Sequence, residues 1–278
     1  MKFLTVSILL FVSCALLGQD SLKVLSYNIF MLPKKSLMLN KNNQRAKNLI
    51  PKLDSSNYDV LVLQEVFDKK IDRQLKKKLS STYPYQLGHD SKGGLVKTHA
   101  GLRIYSKFPV NFIDQITFQK GTGIDRLAKK GAVLFKVTKS KKEYFLVNTH
   151  MQSEEGTPQQ QRRLLQLGQI IEMINKNTDS SQVTFILGDF NFHQKDEMIE
   201  LLDDNAGFVV EEILKKEIYT YPAESFSYNY DYKKTLDLCL QLKGERIGYD
   251  WKPVDFFYLS KNERQDCSDH RAISVILR

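Results

Sequence analysis

The sequence predicts an α/β protein in which buried strands are covered by amphipathic helices. Asp59-Val60-Leu61-Val62-Leu63-Gln64-Glu65 is a continuous apolar run closed by a carboxylate, and Val183-Thr184-Phe185-Ile186-Leu187-Gly188 is a second. Runs of this length and type read as strands buried on both faces, as in a layered α/β sandwich. Arg45, Ala46, Leu49, Ile50 and Leu53 have helical spacing, and the segment opened by Pro158 carries Leu164, Leu165, Leu167, Ile170, Ile171 and Ile174 as an apolar stripe. With 278 residues and 42% hydrophobic content there is ample material for a sizeable core.

In chain order, residues 1–19 read as an export leader rather than part of the fold. Lys2 is a short basic start, Phe3 to Val12 an apolar stretch, and the segment through Gln19 a cleavage region. The stretch is short for a membrane span. Cys14 loosely resembles a lipoprotein cleavage site, but Phe11 fits poorly there and ordinary cleavage is preferred. The product is then an exported protein, extracellular or periplasmic, with residues 20–278 as one domain.

Strands are expected at Leu22–Asn28, Asp59–Glu65, Gly101–Ser106, Val110–Thr117, Lys130–Val137, Tyr144–Thr149, Val183–Gly188, Pro253–Leu259 and from Ala272 to Leu277. Ile71 to Leu79 is a basic helix, and Glu197 to Leu202 a short one. Asp90 to Ala100, with Gly93-Gly94, reads as a loop.

The formal charge is +9, from 41 Lys+Arg against 32 Asp+Glu, which favours anionic partners without choosing among nucleic acid, phosphorylated molecules and an anionic membrane. Removal of the leader takes Lys2 with it. Cys239 and Cys267 would remain, either as one disulfide or as two free thiols, and no Cys/His spacing suggests zinc.

One pattern recurs along the chain. Asn28, Glu65, His150 and Asp189 each end a predicted strand, Asn191 follows two residues after Asp189, and Asp269-His270 opens the last strand. Each alone is an ordinary polar residue. If the strands share a sheet edge, the side chains converge. Acid and amide clusters suit a hard divalent cation, Mg²⁺ first, with Mn²⁺ or Co²⁺ as alternatives, and such a cation stabilises charge developing in phosphoryl transfer.

Tyr27-Asn28, Gln64-Glu65, Thr149-His150, Gly188-Asp189-Phe190-Asn191, Val254-Asp255-Phe256 and Ser268-Asp269-His270 together resemble the motif series of the endonuclease/exonuclease/phosphatase (DNase I-like) superfamily, over about residues 22–278. The resemblance implies a four-layered α/β sandwich, two packed β-sheets flanked by helices, and metal-dependent phosphoester hydrolysis. Glu65, assisted by Asn28, corresponds to the metal site. His270 corresponds to the base that activates water, with Asp269 completing its motif. On the same resemblance, Asp189 and Asn191 would position nucleophile and phosphate, His150 would stabilise the phosphorane or aid the leaving group, and Asp255 would orient a histidine.

Asn28-Ile29-Phe30-Met31-Leu32-Pro33, Glu65-Val66-Phe67-Asp68, Lys130-Gly131-Ala132 and Thr149-His150-Met151-Gln152-Ser153-Glu154 are similar to secreted bacterial neutral sphingomyelinases. That implies sphingomyelin, or a related phospholipid met peripherally at a membrane by a monomer, as substrate, with ceramide and phosphocholine as products. Tyr219 to Tyr232, with five tyrosines, offers faces for a quaternary ammonium or simply packs the fold. Two departures stand out. Only 13 residues separate Asp255 from Asp269, where haemolytic relatives carry a long aromatic-tipped hairpin, and Gly121-Thr122-Gly123 lacks the cysteine of relatives that have a disulfide there. The alternatives are a secreted nuclease of the same superfamily, in which Arg103 contacts a phosphate, and a noncatalytic lipid-binding module.

Overall fold

Side chains alternate across a strand, so a strand between two layers must be apolar on both faces. The first central strand, β1 (Leu22–Met31), does this: Leu22 and Val24 point into one core cluster, Leu25 and Tyr27 into another. The computed structural model describes residues 21–33, 41–90, 99–119, 121–192, 218–226, 233–242 and 248–278. The leader, the short helix expected at Glu197–Leu202, Gly93-Gly94 and Tyr228, Tyr230 and Tyr232 lie outside the described residues.

After β1 come α1 (Asn42–Asp54), β2 (Val60–Val66), α2 (Lys69–Leu79), β3 (Tyr85–Gly88), β4 (Arg103–Ser106), β5 (Val110–Thr117), β6 (Gly131–Lys139), β7 (Lys142–His150), α3 (Thr157–Asn177), β8 (Thr184–Asp189), β9 (Asp237–Gln241), β10 (Tyr249–Val254), β11 (Phe257–Ser260), β12 (Glu263–Asp266) and β13 (Ala272–Leu277). One sheet has the order β10-β13-β1-β2-β4-β3, the other β5-β6-β7-β8-β9, and β11-β12 is a separate hairpin. The two sheets pack on each other. α1 and α2 cover the outer face of the first through Leu49, Leu53, Ile71 and Leu75, and α3 covers the second through Leu167, Ile170 and Ile174. This is the four-layered sandwich expected from the motif series.

The parallel pairs β1–β2 and β7–β8 end at one edge, where Asn28 lies beside Gln64 and His150 beside Asp189. β9 runs antiparallel to β8, with Asp237 opposite Asp189, so it starts at that same edge. Gly188 allows β7 and β8 to meet there: its φ is +145°, and a Cβ would fall 2.0 Å from the Thr149 carbonyl oxygen.

Two sequence expectations change, and a third point that the sequence left open is resolved. Pro253–Leu259 is not one strand, because the chain breaks at Asp255-Phe256 between β10 and the β11–β12 hairpin. The buried face of α3 is rotated, leaving Leu164 and Leu165 exposed (38% and 61%) while Arg163 and Gln166 are buried. The cause is polar. Gln166 Oε1 accepts from the Gln152 N–H at 2.8 Å, and Arg163 donates to the carbonyls of Gln152 and Glu154, so this face serves the loop after His150. Third, Cys239 and Cys267 are both free and buried, in different core clusters, and burial pushes the Cys267 thiol up to about 12.

Candidate active site

The site lies between the sheets at the shared strand edge. Asn28, 0% exposed, donates from Nδ2 to Asp189 Oδ2 at 2.9 Å and to Glu65 Oε1 at 3.3 Å, joining the first sheet to the second. Its Oδ1 accepts the Phe30 N–H, which fixes the amide orientation.

Glu65 does not follow the alternation of β2. Val60, Val62 and Gln64 face the other sheet, so Glu65 should point towards the helices. Its φ of +55° instead turns the carboxylate to the inter-sheet edge, where Oε1 lies 3.8 Å from His150 Nε2. A left-handed conformation at a residue with a Cβ costs about 1–3 kcal/mol and persists only where surrounding structure holds it. The chain leaving Glu65 is anchored at once: Asp68 caps α2 by accepting from the N–H groups of Lys70 and Ile71.

His270 and His150 are both buried, and their surroundings drive them to opposite states. Nδ1 of His270 lies 2.8 Å from Asp237 Oδ2, and because a carboxylate can only accept, Nδ1–H is the donor. Nε2 is 3.8 Å from Asp189 Oδ2. Burial opposes the charged ring, but Asp237, Asp189 and Asp269 outweigh it and raise the pKa well above the ordinary value. His150, with Nε2 3.5 Å from Asp189 Oδ2, is held neutral by burial, Lys130 and His270.

The carboxyls show the complementary strain. Burial, then Asp269, lifts Glu65 to about 7, and burial together with Asp237 lifts Asp189 to about 6. Burial likewise raises Asp269, whose carboxylate accepts from Ser268 Oγ at 3.2 Å. Glu65 Oε2, Asp237 Oδ1 and His150 Nδ1 are buried with no hydrogen-bond partner among the described residues. Clustered, under-satisfied carboxylate oxygens are what a divalent cation requires. Asp189, Asp237 and His270 offer ligand atoms within 4.8 Å of one another, and Glu65 with Asn28 flanks them. A buried acidic and histidine cluster able to hold a metal is therefore present.

Asn191 also has positive φ (+55°). Its N–H donates to Asp189 Oδ1 at 3.0 Å, and its Nδ2 to the Met151 carbonyl at 3.2 Å. That carbonyl also accepts from Lys130 Nζ at 2.7 Å, and Lys130 is paired with Asp125 at 3.0 Å. Lys130 is thus a buried cation beside the site.

Of the sequence-derived set, Asn28, Glu65, His150, Asp189, Asn191, Asp269 and His270 come together. Asp255 does not join them. It binds Arg271 (2.7 and 3.3 Å) and approaches Arg264 (3.6 Å) near the surface, and the carboxylate on the His270 ring is Asp237. Arg103 is held by both oxygens of Asp72, at 2.6 and 2.8 Å, which removes it as a free phosphate contact. Lys233 Nζ and Arg271 Cζ lie 4.6 and 4.8 Å from the Tyr219 ring centre, and the Tyr221 ring is 5.0 Å from that of His270. Asp237 is the residue that sequence reasoning missed. Its signal was the apolar run Leu236-Asp237-Leu238-Cys239-Leu240, entered rather than ended by a carboxylate.

Curated relatives include Sphingomyelinase C of Bacillus cereus, 33% identical over 194 residues, 63% of this chain and 58% of the relative. Phospholipase C of Staphylococcus aureus is 29% identical over 62% of this chain and 58% of its own length. The chain thus matches little more than half the length of these relatives. Among solved structures, a beta toxin from Staphylococcus aureus superposes with a TM-score of 0.72 at 24% identity, covering 91% of this chain and 99% of that one. D. rerio TDP2 complexed with single strand DNA product superposes at 0.71 and 20% identity, covering 93% and 99%. These likenesses establish the fold. The family model for the Endonuclease/Exonuclease/phosphatase family matches residues 25–270, nearly the whole described sandwich and every strand end that builds the site, and the chain belongs to that family.

Proposed function

We propose that this chain is an exported, metal-dependent phosphodiesterase that hydrolyses sphingomyelin to ceramide and phosphocholine. The observation that carries the reading is the His270 imidazole, held at Nδ1 by Asp237 with Nε2 turned to Asp189, at an edge where Glu65 keeps an unpartnered oxygen. The relatives named Sphingomyelinase C and Phospholipase C support the lipid substrate. The +9 charge suits an anionic membrane surface met peripherally.

Glu65, with Asp189 across the sheet boundary, would supply oxygen ligands to Mg²⁺, and Asn28, whose Nδ2 donates to both carboxylates, would assist by holding them in place. A cation held there would supply charge stabilisation to the phosphoryl oxygens and would offset the surrounding carboxylates. His270 Nε2 is the group that takes the proton from the attacking water. Asp237 stabilises the resulting imidazolium through Nδ1–H, as an orienting carboxylate does for a catalytic histidine. Asp189 and Asn191, linked by the hydrogen bond between the Asn191 N–H and Asp189 Oδ1, orient water and phosphate. His150, neutral, donates a hydrogen bond towards the departing ceramide oxygen, which leaves as the alcohol with a proton from solvent, and His270 returns the proton it took to solvent. Asp269 adds negative charge beside Glu65.

The test is to offer purified protein with Mg²⁺ sphingomyelin, phosphatidylcholine and plasmid DNA in parallel. Phosphocholine release from sphingomyelin, abolished by a chelator, is expected. DNA cleavage without phosphocholine release would replace this reading with the nuclease one, and lipid binding without turnover of any substrate would replace it with a binding module. Residues 1–19 would act as the export leader, checked by the N-terminal residue of protein recovered outside the cytoplasm.

A further inference from the structure

Beneath the site lies a second polar layer. Strand alternation places Ser26 on β1 two residues before Asn28, and Asn148 on β7 two residues before His150, on the same inward faces. Gln64, on β2, stands beside Asn28 in the pairing register. All three are 0% exposed. Below them the inter-sheet layer is apolar: Val24, Val62, Leu146 and Phe185. Gln64 Nε2 donates to Asn148 Oδ1 at 2.8 Å across the gap and to Ser26 Oγ at 3.2 Å within its own sheet. Asn148 Nδ2 donates back to the first sheet, to the carbonyls of Leu63 and Arg103, each at 3.2 Å.

We infer that Gln64 and Asn148 form a cross-sheet clamp that sets the register between the two halves of the active site. They are positioning residues, and the inference rests on the phosphodiesterase reading of that site. Two contacts above the clamp cross the same boundary, Asn28 to Asp189 and His270 to Asp237. Both require the sheet edges to stand at one separation and one slide. Apolar contacts between flat faces are non-directional and tolerate sliding. A pair of buried amides does not, because displacement leaves donors unsatisfied. The clamp sits one pleat from the chemistry, where a small displacement has most leverage on the reacting geometry.

The experiment compares wild type with the Gln64→Met, Asn148→Leu double variant by thermal unfolding, sphingomyelin turnover with Mg²⁺, and the downfield Nδ1–H proton resonance of His270, assigned with His270→Ala. Replacing both partners with apolar groups of similar size removes the two amides together, but Ser26 Oγ and the Leu63 and Arg103 carbonyls each lose a donor, so the Tm should fall by several degrees with the variant still folded. kcat is expected to fall about tenfold or more with little change in KM, and the His270 resonance to broaden or shift. A folded double variant that keeps both kcat and the resonance overturns the clamp. If the wild type releases no phosphocholine, the hydrolase reading falls and the resonance alone decides: kept in the folded variant, it overturns the clamp, and lost, it supports it. If the double variant does not fold, the exchange of Gln64→Asn with Asn148→Gln decides. Retained resonance there supports the clamp, and its loss, folded or not, overturns it.

Discussion

Two clusters near the C-terminus are built from the same residue types and behave differently. At the surface, Asp255 sits between Arg271 and Arg264, and Arg264 also pairs with Glu224 and Asp266. In the interior, Asp237 and Asp189 flank His270, with Glu65 and Asp269 nearby. In the surface cluster three carboxylates share two arginines, each carboxylate touches a permanently charged guanidinium, and Asp255 is 31% exposed. Among the described residues, the interior cluster has no arginine paired to its carboxylates. Several of its buried polar atoms have no partner among those residues, and pKa values move in both directions. Unbalanced buried charge is costly, and its survival marks a place where something else completes the set.

Breaking the interior cluster should have the largest effect. His270→Ala removes the proposed base and should lower kcat for phosphocholine release by roughly 10²–10⁴-fold. Asp237→Asn keeps the side-chain shape but withdraws the carboxylate that fixes the ring, and should cost about 10²-fold. Circular dichroism would establish that both remain folded. Wild-type turnover in either folded variant would remove that residue from the mechanism.

Glu65→Gln probes the imbalance through stability. Glu65 carries a folded pKa of about 7 against an ordinary 4.5. A carboxyl raised on folding contributes its stability in full below the unfolded pKa and loses it as pH climbs through the folded one. The metal-free wild type therefore gives up this contribution between pH 4.5 and about 7, an amount on the order of 3 kcal/mol. Gln, uncharged, gives up nothing. Without metal, the variant should match wild type near pH 4 and melt several degrees higher at pH 8, since 1 kcal/mol shifts Tm by about 2–4 °C in proteins approaching this size. Mg²⁺ should raise the Tm of wild type at pH 8 and not that of the variant. A metal-free variant that melts lower than wild type at pH 8 would mean that the carboxylate is already compensated within the chain.

The contrast between the clusters also explains what could be read from the sequence. β2, β7 and β8 were legible as apolar runs, and their candidate residues because each stands where such a run stops, whereas β1 was legible by its alternation and runs on past Asn28 to Met31. Asp237 was hidden by direction. β9 enters the same edge that β8 leaves, and periodicity carries no information on whether a strand runs up or down. Asp255 was misread for a related reason: it looked internal to a strand, whereas the chain breaks there and turns into the β11–β12 hairpin. For Glu65, sequence placed the residue at the edge but not its aim, which depends on one positive φ. Gln64 was visible only as a polar letter beside Glu65 and Asn148 only as one within an expected strand, since a hydrogen bond between sheets has no signature along either strand.

The surface cluster supplies the smallest expected effect and the sharpest control. Asp255→Asn removes one charge from a partly exposed network in which Arg271 still donates to the Tyr219 carbonyl and stacks over the Tyr219 ring, and Arg264 still holds Asp266. Exposed pairs contribute about 0–1 kcal/mol, so the Tm should move by no more than a few degrees and kcat should stay within about threefold of wild type. Arg271 directly follows His270, and its N–H donates to the Thr220 carbonyl at 2.7 Å, so the backbone at this point is held independently of Asp255. A loss of kcat comparable with that of Asp237→Asn would mean that Asp255 governs the histidine through Arg271, and the two clusters would then be one.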